Sequence, residues 1–205
     1  SMDKFKSISC VAAPLMLANV DTDLIIPMQR YLLADRKDMH EFAFETLRFL
    51  EDGSDNPEFI LNKPAYEGAQ ILISGNNFGC GSSRESAVWA LNGLGLQCII
   101  APSFGNIFYN NCFQNGMLPI VLDQKIVEKL AEISENSGNN APFSIDLEAQ
   151  TVTAPNGEAY SFEIEPQRRH QLLEGLDDIG VTLTKVAEIK SFRKVDEKNR
   201  PWIYN

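Results

Sequence analysis

Ala69-Gln70-Ile71-Leu72-Ile73-Ser74 is followed by Gly75-Asn76-Asn77-Phe78-Gly79-Cys80-Gly81, then by Ser82-Ser83-Arg84-Glu85, and soon after by Cys98-Ile99-Ile100-Ala101. The first run is apolar, short and bounded by polar residues, which is the pattern of a buried strand. A glycine-rich turn from Gly75 to Gly81 ends it, and a helix is expected from about Ser83 to Leu94. The second apolar run is again strand-like. The unit is therefore β-loop-α-β, which implies a parallel strand pair with a right-handed crossover.

Working outward, Val11 to Met16 is apolar and leads into a polar turn, Asn19-Val20-Asp21-Thr22-Asp23, and then Leu24-Ile25-Ile26-Pro27. Glu41 to Leu50 places apolar residues at helical spacing and stops at the breaker cluster Asp52-Gly53-Ser54-Asp55-Asn56-Pro57. On the other side, Ile107 to Gln114 reads as a short helix, Leu118 to Leu122 as a third buried strand and Gln124 to Ser134 as an amphipathic helix. Beyond Asn136-Ser137-Gly138-Asn139-Asn140 the pattern changes. Phe143 to Leu147, Thr151 to Thr153 and Tyr160 to Ile164 are short strands, with Asn156-Gly157 as a hairpin turn. Helices are expected at Pro166 to Leu173 and Thr184 to Phe192, and a charged tail from Lys194 ends in Trp202 and Tyr204, an aromatic pair suited to docking on a surface. The expected fold class is α/β, with a mainly parallel central sheet and a smaller antiparallel β element. It is read as a single domain over residues 1–205, with its core at about 4–192 and a tail at 193–205.

Composition narrows the function. The chain has 205 residues, 44% hydrophobic and 22% charged, enough to fill a core. Its formal net charge of −10 argues against nucleic-acid binding, which concentrates Lys and Arg. No apolar stretch approaches the ~18 residues of a membrane span. Ser1 ahead of Met2 reads as a remnant of a cleaved tag, and the residues after it lack the layout of a secretory signal. Cys10, Cys80, Cys98 and Cys112 lie far apart with no C-x-x-C pair, and His40 and His170 are the only histidines. Free thiols in a reducing, cytoplasmic setting and no metal held by this chain are the expectation.

Gly79 to Glu85 is where chemistry is expected. The loop ends of α/β sheets gather ligands, glycines let the backbone approach closely, and the free N–H groups of a helix start favour an anion. Arg84 adds a fork of donors suited to a carboxylate or phosphate, with two hydroxyls beside it. A plainer reading stands next to this one. Ser82-x-x-Glu85 is also a capping box, in which Ser82 only caps the helix and Arg84 points into water. Nucleotide loops fit worse, since both Gly-Lys-Ser/Thr and a G-x-G-x-x-G with its acidic strand end are missing.

Asn77-Phe78-Gly79-Cys80-Gly81-Ser82-Ser83-Arg84-Glu85 resembles the signature of the swivelling domain of aconitase-type hydro-lyases. From about Lys4 to Phe192 the chain resembles the small-subunit family of bacterial isopropylmalate dehydratases. The match rests on Asn19 to Asp23 with Ile25-Ile26-Pro27, Asn56-Pro57, Leu61 to Pro64, Trp89-Ala90-Leu91, Ala101 to Phe104, Ile107 to Asn111, Asp146 to Glu148, Arg168-Arg169-His170 and Gly175 to Gly180. The resemblance implies a swivelling-domain fold and a partner, a large subunit carrying a [4Fe-4S] cluster that acts as Lewis acid on a hydroxy acid substrate. It implies isomerisation of 2-isopropylmalate to 3-isopropylmalate by dehydration and rehydration, in leucine biosynthesis. This chain would supply Ser82 as the base, Ser83 and Arg84 as carboxylate holders, Asp23 as an orienting group and Arg36 as a substrate-binding arginine on a mobile loop. The plainer alternatives are an Asx turn for Asp23, one solvated charge among Asp35 to Asp38 for Arg36, and a packing role for Cys80. His40 and His170 are expected to be structural. Arg168-Arg169 is expected to form a solvated helix start or a large-subunit contact. Two stretches depart from the family's text: Ser86-Ala87-Val88 where His-Ala-Pro is usual, and Leu32 to Asp38 where an Arg-Thr-Gly-rich loop is usual. They leave open a paralogue acting on citramalate/citraconate or dimethylmalate, or a non-catalytic interaction subunit.

Overall fold

The computed structural model describes residues 2–137, 141–175 and 198–200. In chain order the strands are β1 (Ile8–Cys10), β2 (Ala12–Leu15), β3 (Ile71–Ser74), β4 (Cys98–Ala101), β5 (Leu118–Val121), β6 (Phe143–Asp146), β7 (Thr151–Thr153) and β8 (Ala159–Ser161). The helices are α1 (Thr22–Ile25), α2 (Met28–Leu33), α3 (Glu45–Arg48), α4 (Glu85–Gly93), α5 (Asn106–Gln114), α6 (Gln124–Asn136) and α7 (Pro166–Glu174), with a 3-10 segment at Arg36–Phe42.

β2, β3, β4 and β5 form a parallel sheet in that order, with Ile71 opposite Ala12 on one side and Cys98 on the other. All residues of these strands are buried. Continuous apolar runs are what a parallel sheet covered on both faces requires. Val11 alone separates β2 from β1, which turns away into an antiparallel sheet ordered β1-β6-β7-β8. There the pattern alternates, with Phe143 and Ile145 buried and Ser144 and Asp146 exposed, because one face meets water. The fold class is the expected one: α/β, a parallel sheet with an antiparallel companion.

Three local expectations change. The strand expected at Tyr160 to Ile164 becomes Ala159–Ser161, because Pro166 opens α7 almost at once. Phe162 and Ile164 are still buried, and Phe162 N–H still donates to the Gln150 carbonyl at 2.9 Å. The helix expected over Glu41 to Leu50 is broken. Phe44 sits in the left-handed region at φ 52°, fully buried, with its N–H donating to the Ile25 carbonyl at 2.8 Å and its ring 5.7 Å from that of Phe59. Left-handed backbone costs about 1–2 kcal/mol, and burying a phenylalanine ring returns about 1.5–3 kcal/mol. Tertiary packing wins over helical periodicity here. Finally, Arg168 and Arg169 are half-buried and engaged rather than free in solvent: Arg168 donates to Asn110 Oδ1 at 2.9 Å and covers the Phe113 ring, and Arg169 donates to Gln150 Oε1 at 2.8 Å. His40 is half-buried and His170 exposed. The helix expected at Thr184 to Phe192 and the aromatic tail lie outside the described residues.

Candidate functional site

The loop from Gly75 to Ser83 leaves the C-terminal end of β3 and is fastened on both flanks. Toward the segment after β2, Gly75 N–H donates to Leu17 O at 3.1 Å, Gly79 N–H to Val20 O at 2.7 Å, and Thr22 N–H to Cys80 O at 2.9 Å. Toward the segment after β4, Phe78 N–H donates to Ser103 O at 3.1 Å, Asn77 N–H to Ser103 Oγ at 2.8 Å, and Gly105 N–H to Phe78 O at 2.8 Å. Beneath lies an aromatic stack in which Phe78 meets Phe104 and Phe108 edge-on, at 6.2 and 5.4 Å. Gly79 makes this approach feasible. Its φ is +76°, and a Cβ there would fall 2.2 Å from the Phe108 ring. Gly105 presses equally close from the opposite side, where a Cβ would meet the Gly79 carbonyl oxygen at 2.6 Å.

On this platform Ser82 and Ser83 are exposed while Arg84 is only 7% exposed. Arg84 Nη1 donates to the Ile26 carbonyl at 2.9 Å, and Nη2 lies 3.6 Å from Asp23 Oδ1. The Tyr31 ring stands 5.8 Å from its guanidinium carbon. A buried guanidinium needs such partners, and with five donors it retains capacity for a carboxylate after these contacts are made. Asp23 Oδ1 also accepts the Met28 N–H at 3.1 Å, so one carboxylate joins α1, α2 and Arg84. The Asx role belongs instead to Asp21, which caps α1 by accepting the Leu24 N–H at 2.7 Å.

The capping box does not form. α4 begins at Glu85 with Arg84 as an extended N-cap residue and no side-chain cap bond. Glu85 Oε1 accepts from Asn115 Nδ2 at 2.9 Å rather than folding back onto its own helix. Ser82 therefore keeps its hydroxyl away from the helix amides, and only its carbonyl is used, accepting Arg84 N–H at 3.0 Å. Cys80 is half-buried, and burial, helped by the Asp21 charge, pushes its thiol up, so it stays protonated beside the serines.

Arg36 lies elsewhere. Its guanidinium stacks 4.7 Å over the Trp89 ring and reaches Asn115 Oδ1 at 3.4 Å, one turn along α4 from the loop. The segment carrying it is better anchored than its charges suggest, because Met39 is buried and Gly93 of α4 lies so close that a Cβ there would meet His40 Cβ at 2.3 Å. Ile26, Tyr31 and Asn115 were not legible as site residues, since a backbone carbonyl, one tyrosine and one helix-end asparagine carry no motif.

Exposed apolar side chains stand on the segments that flank the loop, Met16 and Leu17 after β2 and Ile107 at the start of α5, and on α2, where Met28, Leu32 and Leu33 are exposed, Leu33 by 85%. Two cavities, of about 860 and 690 Å³, open at the other end of the sheet, where Gln70 and Gln97 precede β3 and β4, and neither serine lines them. Among the described residues no group of three or more His, Cys, Asp and Glu side chains could hold a metal ion, and no helix is long and apolar enough to cross a membrane. Cys98 and Cys112 are buried apart from the loop.

The fold and the serine–arginine loop define an aconitase-type domain, and the aconitase C-terminal domain family matches residues 2–125, with the LeuD_N family matching residues 129–166. The 3-isopropylmalate dehydratase small subunit of Parvibaculum lavamentivorans is 52% identical over 202 residues, spanning 98% of this chain and 100% of that protein. Those of Jannaschia sp. (53% over 202 residues) and Sinorhizobium fredii (52% over 201 residues) cover the same shares. A crystal structure titled 3-isopropylmalate dehydratase (leuD), from Methanocaldococcus jannaschii, superposes with a TM-score of 0.62 at 22% identity, covering 95% of this chain and 99% of that one, and so shares the fold. The chain belongs to the family of 3-isopropylmalate dehydratase small subunits, components of a hydro-lyase.

Proposed function

We propose that this chain works in leucine biosynthesis as the small subunit of a 3-isopropylmalate dehydratase, converting 2-isopropylmalate to 3-isopropylmalate by removing water and adding it back at the neighbouring carbon. The observation that carries this reading is the exposed Ser82–Ser83 pair set beside a buried Arg84 that the Ile26 carbonyl and Asp23 hold in place. The relatives named above all bear the isopropylmalate name, and nothing favours a citramalate or dimethylmalate enzyme or a non-catalytic subunit.

In this reading the large subunit's [4Fe-4S] cluster, when bound, supplies Lewis-acid activation of the departing hydroxyl. The scattered cysteines of this chain do not fit such a cluster, and its own residues do the remaining work. Arg84 and Ser83 hold a substrate carboxylate, which fixes the neighbouring carbon against Ser82. Ser82 takes the carbon-bound proton, and the Arg84 charge stabilises its alkoxide form. Asp23 orients Arg84. Arg36 binds substrate from the 3-10 segment. The exposed apolar side chains from Met16 to Leu33 exclude water once the large subunit covers them. The whole of residues 1–205 serves as one swivel-type domain, working in the cytoplasm with a hydroxy acid and a large subunit rather than with nucleic acid or membrane.

The test is reconstitution. The purified chain, alone and with a cluster-bearing large subunit, is assayed by alkene absorbance with isopropylmalate, citramalate and dimethylmalate. Turnover is expected only with both subunits and highest with isopropylmalate. Turnover by the chain alone, or a preference for another malate, overturns the reading.

A further inference from the structure

Asn115, at the C-terminal cap of α5, uses the full hydrogen-bonding capacity of its side chain. Oδ1 accepts from Trp89 Nε1 at 3.0 Å and from Arg36 Nη2 at 3.4 Å. Nδ2 donates to Glu85 Oε1 at 2.9 Å and to the Asn111 carbonyl at 2.8 Å. The amide can sit only one way, because reversing it would set its donors against Trp89 Nε1–H and the Arg36 guanidinium. One side chain thus joins the 3-10 segment, the first turn of α4 and the end of α5. Glu85 immediately follows Arg84, so the junction adjoins the serine–arginine loop through Glu85, while Asn115 itself also lines the cavity at the far end of the sheet.

We propose that Asn115 is a positioning residue for substrate binding. Its amide locks Arg36 to the first turn of α4, so that Arg36 meets the substrate in fixed register with Ser82, Ser83 and Arg84. A shelf of Trp89 alone, with Arg36 stacked on it at 4.7 Å, leaves the guanidinium free to slide and rotate in the ring plane. The hydrogen bond to Asn115 removes that freedom, and its geometry is dictated by Glu85. The proposal rests on the reading of Arg36 as a substrate-binding group.

The experiment measures kcat, KM and melting for isopropylmalate in the reconstituted enzyme. Asn115→Ala is expected to raise KM about threefold to tenfold, the range for an ordinary hydrogen bond rather than a strong charged one because the Arg36 contact is long at 3.4 Å, with kcat nearly unchanged. Arg36→Ala raises KM further, and the double variant is no worse than Arg36→Ala alone. Asn115→Asp keeps both acceptor contacts but sets a carboxylate against Glu85. Its KM should rise, and recover in part when Glu85→Gln supplies a donor, since the Asn111 carbonyl still lacks one. A purely structural role changes melting, leaves KM alone and shows no rescue by Glu85→Gln, and that result overturns the proposal. So does a fall in KM in Asn115→Ala, which would make the site a berth from which Arg36 must be withdrawn, and so does full multiplication of the single effects in the double variant. If Arg36→Ala itself leaves KM unchanged, the reading of Arg36 fails instead and takes the proposal with it.

Discussion

Ser82→Ala separates a base from a helix cap. A serine that caps a helix contributes about 0.5–2 kcal/mol, which in a chain of this size corresponds to a melting shift of very roughly 1–8 °C at about 2–4 °C per kcal/mol. The structure removes that contribution: α4 has no side-chain cap bond, and Ser82 is exposed and spends only its carbonyl on Arg84. An exposed residue without such a role changes stability by no more than about 0.5 kcal/mol, so the melting temperature should move by less than about 2 °C. Loss of the base should instead lower kcat by about 10²–10⁴. The assays are thermal melting of the chain and alkene-absorbance turnover of the enzyme rebuilt with its large subunit. A clear drop in melting with activity per folded molecule retained would refute the reasoning and restore the capping box.

Other perturbations probe the same platform. Gly79→Ala places a methyl 2.2 Å from the Phe108 ring at φ +76°, and a loss of more than about 1 kcal/mol in denaturant unfolding is expected. Arg84→Lys keeps charge but not the fork that reaches Ile26 O and Asp23 together; kcat/KM should fall by a similar large factor for every malate tried, and a substrate-dependent loss counts against a shared carboxylate role. Burial holds the Cys98 and Cys112 thiols well above their usual value of 9.0. The unfolded chain sheds these protons near pH 9 while the folded chain keeps them, so stability should be intact at neutral pH and decline as pH rises through that range; Cys98→Ala/Cys112→Ala should flatten the decline in a pH series of melts.

The parallel sheet was legible because β3, β4 and β5 are apolar without interruption, a pattern read directly from Ile71 to Ser74, Cys98 to Ala101 and Leu118 to Val121. The candidate loop was legible through its glycines and its serine–arginine text. What local pattern could not supply was the pairing across distance. Ser82-x-x-Glu85 satisfies the text of a capping box, yet Asn115, from a different helix, claims Glu85 first. Glu41 to Leu50 has helical spacing, yet the pocket beside Phe59 and Ile25 turns Phe44 left-handed. Arg36 reads as one charge in a polar run, and only the fold brings Trp89 beneath it. In each case the deciding partner lies far along the chain, where periodicity and spacing carry no information.

The fastening of the Gly75 to Ser83 loop to carbonyls on either side has a consequence for how such a protein can change over generations. Most of its anchors are backbone atoms, of Leu17, Val20, Thr22, Ser103 and Gly105, which exist whatever side chains stand there; the Ser103 hydroxyl that accepts from Asn77 is an exception. Substitution in the neighbouring segments can therefore leave the serines where they are. The close approaches at Gly75, Gly79 and Gly105, by contrast, leave no room for a side chain. The exposed α2 residues Leu32 and Leu33 make no demand on that scaffold, so they can change without moving it. A lineage could thus vary the surface that α2 presents while inheriting the serine–arginine loop intact.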